Sequence, residues 1–261
     1  MKVILKLIIA LSFSFSNAQM VVSTVAGSGI AQTINGNGTL ASFNNPNGIV
    51  KDSNGNLFIS EESGRVIRKI TPSGDVTIFA GSGAYGNADG VGTAASFGSL
   101  GSLVIDNSDN IYVGDYSNSR IRKILPSGVV STISSTINNS SYAMCIDASK
   151  TNIYFCGSSR IVRKLEIATE IVTTIAGSGT IGNTDGIGTA ANFNLPFGLT
   201  IDPTNTFLYV SDIFNHNIRK INLVTNAVTT LAGNGSSGSN DGNGLSATFN
   251  QKEFPEALPR G

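Results

Sequence analysis

The stretch FGLTIDPTNTFLYVSDIFNHNIRKINLVTNAVTTLAG, Phe197 to Gly233, decides the fold. Its apolar and polar residues alternate with a period of two, and turn-forming residues interrupt the alternation. The pattern predicts four short strands, Gly198–Asp202, Phe207–Ser211, Asn217–Asn222 and Ala227–Ala232. Pro203, Thr204 and Asn205 make the first corner, because proline fixes φ and asparagine tolerates left-handed backbone. Asn215 and Asn217 mark the second corner, and Thr225-Asn226 the third.

Outward from this unit the chain repeats it. GIVKDSNGNLFISEESGRVIRKITPSGDVTIFAG (Gly48–Gly81), SLVIDNSDNIYVGDYSNSRIRKILPSGVVSTIS (Ser102–Ser134) and AMCIDASKTNIYFCGSSRIVRKLEIATEIVTTIAG (Ala143–Gly177) align with it. An Asp closes each first strand (Asp52, Asp106, Asp147, Asp202), and an Arg-Lys pair recurs in each third strand, led by Arg68, Arg122, Arg163 and Arg219. Segments joining the units carry a second repeat with a shared phenylalanine: NGNGTLASFNNP (Phe43), DGVGTAASFGSL (Phe97), DGIGTAANFNLP (Phe193) and DGNGLSATFNQK (Phe249). The third unit lacks such an insert and is reached through SSTINNSSY. Each shared ring is expected to plug the space between neighbouring units.

Four antiparallel strands that are apolar on both faces cannot bury both faces alone. Stacked around a common axis they can, which predicts an all-β propeller. The recurrent P-x-G-[IL]-x-x-D … [LI]-[FY]-[IV]-[SG]-[DE] … I-R-K-I … V-T-T-[IL]-A-G resembles the NHL repeat over nearly all of Val21 to Phe249. The resemblance implies NHL-type β-propeller blades at about 48–81, 102–134, 143–177 and 197–233 within a domain spanning 19–250. Propellers of this family usually close with six blades. Only four are legible here, with Val21–Gly27 (VVSTVAG) resembling a lone fourth strand and 251–261 an irregular tail. The expected arrangement is an incomplete arc of four blades plus one strand; a tight four-bladed ring and a truncated frame are the alternatives.

Composition narrows the function. The 261 residues hold 17 basic and 17 acidic side chains, so no net field draws in nucleic acid or an anionic membrane. Lys2 and Lys6 around the apolar run Val3–Phe15, followed by Ala18-Gln19, read as a secretory signal peptide over residues 1–18. An uncleaved N-terminal anchor is the other reading. After cleavage no membrane span is expected, and the protein is placed outside the cell or in the cell envelope. No cofactor is implied.

Each candidate group has a plainer reading beside it. Asp52, Arg68, Asp106, Arg122, Asp147, Arg163, Asp202 and Arg219 are expected to be structural, each Arg returning to the Asp or to backbone carbonyls of its own or a neighbouring blade; a basic ring for polyanions is the alternative. Glu61, Glu62, Asp115, Tyr116, Asp212 and Phe214 follow the second strands and form a candidate ligand rim, or ordinary solvated loops. The Asp-Gly turns at Asp89, Asp185 and Asp241 read as turn chemistry rather than calcium loops. His216 is the only histidine and cannot by itself build the multi-histidine zinc site of propeller lyases. Cys145 and Cys156, on the first two strands of the third unit, are either a cross-strand disulfide or two small buried thiols. The resulting expectation is an exported, non-catalytic binding or scaffold module with a protein or glycan partner at its loop face. The alternative is a lyase or lactonase-type enzyme with a metal in the central channel.

Overall fold

The computed structural model describes residues 21–134 and 141–250. The expected signal peptide and C-terminal tail lie outside the described residues. Four antiparallel sheets follow one another along the chain. Blade 1 runs Pro46–Lys51, Leu57–Glu61, Val66–Ile70 and Asp75–Ala80; blade 2 runs Leu100–Ile105, Ile111–Asp115, Arg120–Ile124 and Val129–Ser134. Blade 3 comprises Ser141–Ile146, Asn152–Gly157, Val162–Glu166 and Val172–Ala176, and blade 4 comprises Pro196–Ile201, Phe207–Asp212, Asn217–Asn222 and Ala227–Ala232. The repeats thus fold as like-shaped neighbouring sheets, as their alternation predicts. Inner strands touch in chain order, Pro46–Lys51 to Leu100–Ile105 to Ser141–Ile146 to Pro196–Ile201, and the blades form an open arc.

Blades 1, 2 and 4 gain a fifth strand that the repeat pattern did not reveal. The two-residue strands Gly36–Asn37, Gly90–Val91 and Gly186–Ile187, all in the inserts, pair with the outer strand of the blade that follows. They occupy an edge whose N–H and C=O groups would otherwise face solvent. Blade 3, without an insert, keeps four strands.

The two apolar faces of each blade divide the packing. Phe58 packs against Ile111 and Val113 of blade 2, Tyr112 against Ile153 and Phe155 of blade 3, and Tyr154 against Leu208 and Val210 of blade 4. Phe97 is fully buried between blades 1 and 2, and Phe193 between blades 3 and 4. Burying such a ring stabilises by about 1.5–3 kcal/mol. Between blades 2 and 3 there is no insert, and Phe155 stands where the other blades carry Ile59, Val113 and Val210. This larger ring is fully buried in the cluster that joins blades 2 and 3.

At the two ends the plugs lack a second wall. Phe43 is only half-buried and Phe249 is 38% exposed. Val21–Gly27 forms no strand, and Val21, Val22 and Val25 are exposed. The segment nevertheless holds the place of a fourth strand. The Gly27 N–H donates to Gly38 O at 3.1 Å, as Gly81 does to Gly92, Gly177 to Gly188 and Gly233 to Gly244 after true fourth strands.

Candidate functional site

The first-strand aspartates and the arginines do not meet. Asp106 lies at the turn between the first two strands. Its Oδ1 accepts the N–H groups of Ser108 and Asn110 at 2.8 and 2.9 Å, and its Oδ2 accepts from Asn110 Nδ2 and the Tyr112 hydroxyl. Asp52, Asp147 and Asp202 hold the same turn in their blades. A short carboxylate that closes its own turn leaves nothing for an arginine two strands away. Burial raises the Asp106 carboxyl, but the Asn110 and Ser108 donors override it and hold the group below its ordinary value.

The arginines instead take the acid that ends the second strand. Arg122 Nη1 meets Asp115 Oδ2 at 3.2 Å and its Nη2 meets Asp89 Oδ1 at 2.7 Å. Ser96 O and Ala88 O accept from the same fork, and the guanidinium lies 5.0 Å over the Phe97 ring. Arg68 repeats this with Glu61, Asn35, Ser42 O, Ile34 O and Phe43; Arg219 repeats it with Asp212, Asp185, Asn192 O, Thr184 O and Phe193. Three expected rim residues, Glu61, Asp115 and Asp212, are therefore not rim residues. All three are fully buried against an arginine. Burial pushes the Asp115 and Asp212 carboxyls up, against the pull of their hydrogen-bond donors and the guanidinium. The Asp-Gly inserts supply the outer partner of the fork, with Asp89 also accepting from Thr132 Oγ1 and Asp185 from Thr230 Oγ1.

The remaining rim residues stay at the loop end. The turns that carry them are pinned by the inserts: the N–H of Glu62 donates to Asn45 O, that of Tyr116 to Ser99 O and that of Phe214 to Asn194 O. The Glu62 carboxylate bridges two blades, accepting from Asn45 Nδ2 at 2.9 Å and from the Tyr116 hydroxyl. Burial, then the Glu62 carboxylate, pushes the Tyr116 hydroxyl well above its ordinary range, so it remains a donor. The Tyr116 ring lies 4.5 Å from that of Tyr142, which in turn stacks 5.5 Å from Phe197. A half-buried line of rings thus joins blades 2, 3 and 4 at the lip of the inner strands. Phe214, half-exposed, projects from the blade 4 turn.

Tyr142 and Phe197 were not among the expected rim residues. Both occupy the variable position of P-x-G-[IL], held by Asn47 in blade 1 and Gly101 in blade 2. An aromatic there in two adjacent units was the available signal. His216 sits in a left-handed turn residue (φ 51°), and among the described residues no group of three or more His, Cys, Asp or Glu is placed to hold a metal. Cys145 and Cys156 are free thiols, not a disulfide. The register sets Cys145 opposite Tyr154 and Cys156 opposite Ala143, so the pair is diagonal. The Cys156 thiol donates to Pro196 O of the next blade at 3.1 Å, much as the Ser60 hydroxyl donates to Gly101 O at 2.7 Å. A cavity of about 320 Å³ beside blade 1 is lined by the half-buried plug Phe43 with Gly27, Ile30, Ala31, Asn45 and Pro46.

Repeats, blade geometry and open arc define the class, an all-β propeller-type fold, and the repeats resemble those of NHL-repeat proteins. A 75-residue stretch is 38% identical to NHL repeat-containing protein 2 of Bos taurus, covering 29% of this chain and 10% of that protein. A 77-residue stretch is 42% identical to Protein SUPPRESSOR OF QUENCHING 1, chloroplastic, of Arabidopsis thaliana, covering 30% of this chain and 7% of that protein. The matches thus span a tenth or less of these relatives. No family model matches the chain. Among solved structures, a streptogramin B lyase superposes with a TM-score of 0.55 at 13% identity, over 71% of this chain and 54% of that one. An auxiliary nutrient binding protein from Bacteroides ovatus ATCC 8483 gives a TM-score of 0.55 at 16% identity, over 88% of this chain and 69% of that one. At these identities the likeness is one of fold.

Proposed function

We propose that this chain is an exported recognition module that binds a protein or glycan partner at its loop face. The observation that carries the reading is the ring line Tyr116–Tyr142–Phe197, set beside Glu62 and Phe214 on insert-pinned turns. Rings that are half-buried and held in place offer contact area at low entropic cost, and the Glu62–Asn45 pair adds polar groups to orient a ligand. Export rests on the N-terminal Lys2, Lys6 and Val3–Phe15 pattern. The fold is shared by a streptogramin B lyase and an auxiliary nutrient binding protein, so it supports a site without choosing its chemistry.

A glycan and peptide array probed with the purified protein tests the reading. Selective capture by the wild type, lost in Tyr142→Ala and Phe197→Ala with circular dichroism unchanged, is the expected result. Equal capture by both variants would remove the ring line from the binding surface. Mature protein beginning at Gln19 in the exported fraction is the expected outcome of N-terminal sequencing.

A further inference from the structure

Three of the four repeat arginines are closed by the same set of partners, and among the described residues the fourth has none of them. Arg68, Arg122 and Arg219 each hold a second-strand acid, a polar insert side chain and two insert carbonyls, with a phenylalanine below. In blade 3 the acid's place is taken by Gly157, the end of the strand Asn152–Gly157, and the insert is missing. Arg163 is still present, paired across the sheet with Phe155 in the same register as Arg122 with Val113. Among the described residues its buried Nη1 has no hydrogen-bond partner and Arg163 makes no ion pair. A guanidinium nitrogen withdrawn from water without an acceptor loses solvation that an arriving anion restores. Burial alone drives this arginine below its ordinary value, which is consistent with a cation lacking a counter-charge.

We infer that the Arg163 guanidinium in blade 3 is a ligand site for a carboxylate, admitted at the loop end where Gly157 leaves out the acid that the sister blades build in. The carboxylate class follows from those blades. There the Nη1 of the fork is met by a Glu or Asp oxygen at 2.5, 3.2 and 3.5 Å. A planar carboxylate matches a fork of this kind through two parallel N–H···O bonds. The site is independent of the ring line, although the inner strand beginning at Ser141 pairs with Gly157 and brings Tyr142 beside the same end of the sheet.

Thermal unfolding in sodium acetate against sodium chloride, at one ionic strength and pH, tests the assignment. Wild type is expected to gain roughly 2–4 °C in acetate once the site fills. Arg163→Met, which keeps the apolar stem, should show no acetate response. Gly157→Asp supplies the carboxylate internally, so it should melt higher than wild type in chloride and lose the acetate response. A wild type indifferent to acetate overturns the proposal, and so does an acetate gain that persists in Arg163→Met. Should Gly157→Asp fail to fold, Arg163→Met still decides. A phosphate response larger than the acetate response would overturn the carboxylate assignment.

Discussion

Blades 2 and 3 start from nearly the same strand sequences and end in different chemistry. Both carry an Arg-Lys pair, an Asp-capped first turn and an aromatic facing the next blade. In blade 2 the insert folds over Arg122, contributes Asp89 and two carbonyls, and slides Phe97 beneath the guanidinium. In blade 3 no such insert precedes the sheet, Gly157 replaces the acid, and the larger Phe155 stands where blade 2 has Val113. The repeat therefore consists of two separable parts: a four-stranded sheet, and an insert that closes its arginine and its edge. Losing the insert leaves the sheet standing but leaves its arginine without those partners.

The largest contrast should come from the arginines themselves. Arg122→Ala leaves Asp115 buried and Asp89 unpaired, with an expected loss of about 3–5 kcal/mol in urea unfolding, whereas Arg163→Ala should cost about 1 kcal/mol or less. Equal losses would break the comparison. The plugs come next: Phe97→Ala, between two blades, should cost about 3–4 kcal/mol, and Phe249→Ala, at an open end, about 0.5 kcal/mol. The same pair of melts reports whether an insert needs two walls to stabilise anything.

A smaller effect separates the two kinds of aspartate by pH. The folded Asp106 carboxyl lies below its ordinary 3.8, so the stability it contributes is complete above that value and is lost as pH falls through the folded value. Asp106→Asn should cost about 1–2 kcal/mol at pH 7 and flatten the acid limb below pH 3.8. The folded Asp115 carboxyl is raised, so its shift favours the fold at low pH and fades as pH climbs through the folded value. Asp115→Asn should leave the acid limb below pH 3.8 in place. The smallest effect belongs to Cys156→Ser, which substitutes one bridging donor for another, as at Ser60, and should change stability by about 1 kcal/mol or less. A thiol titration of the unfolded wild type should count two sulfhydryls.

Strand positions and blade count were readable because side-chain alternation and turn residues are local properties, repeated four times with small variation. The buried role of Glu61, Asp115 and Asp212 was not. A carboxylate after a strand looks the same in sequence whether it faces solvent or an arginine seven residues on. Asp106 misled for the opposite reason: its 16-residue spacing from Arg122 recurs in three of the four units because both belong to one repeated unit, not because they touch. Tyr142 and Phe197 were hidden by sitting where the motif tolerates any residue. The outer two-residue strands were missed because their pairing depends on an insert returning to the following sheet.

By itself the sequence determined that this chain is a run of like four-stranded sheets, the third without an insert, since alternation, turns and recurrence need no knowledge of long-range contact. Tertiary structure alone decided which charges pair, which rings meet and which arginine is left open. Those outcomes depend on side chains brought together from different blades and inserts, over separations along the chain that local pattern does not encode.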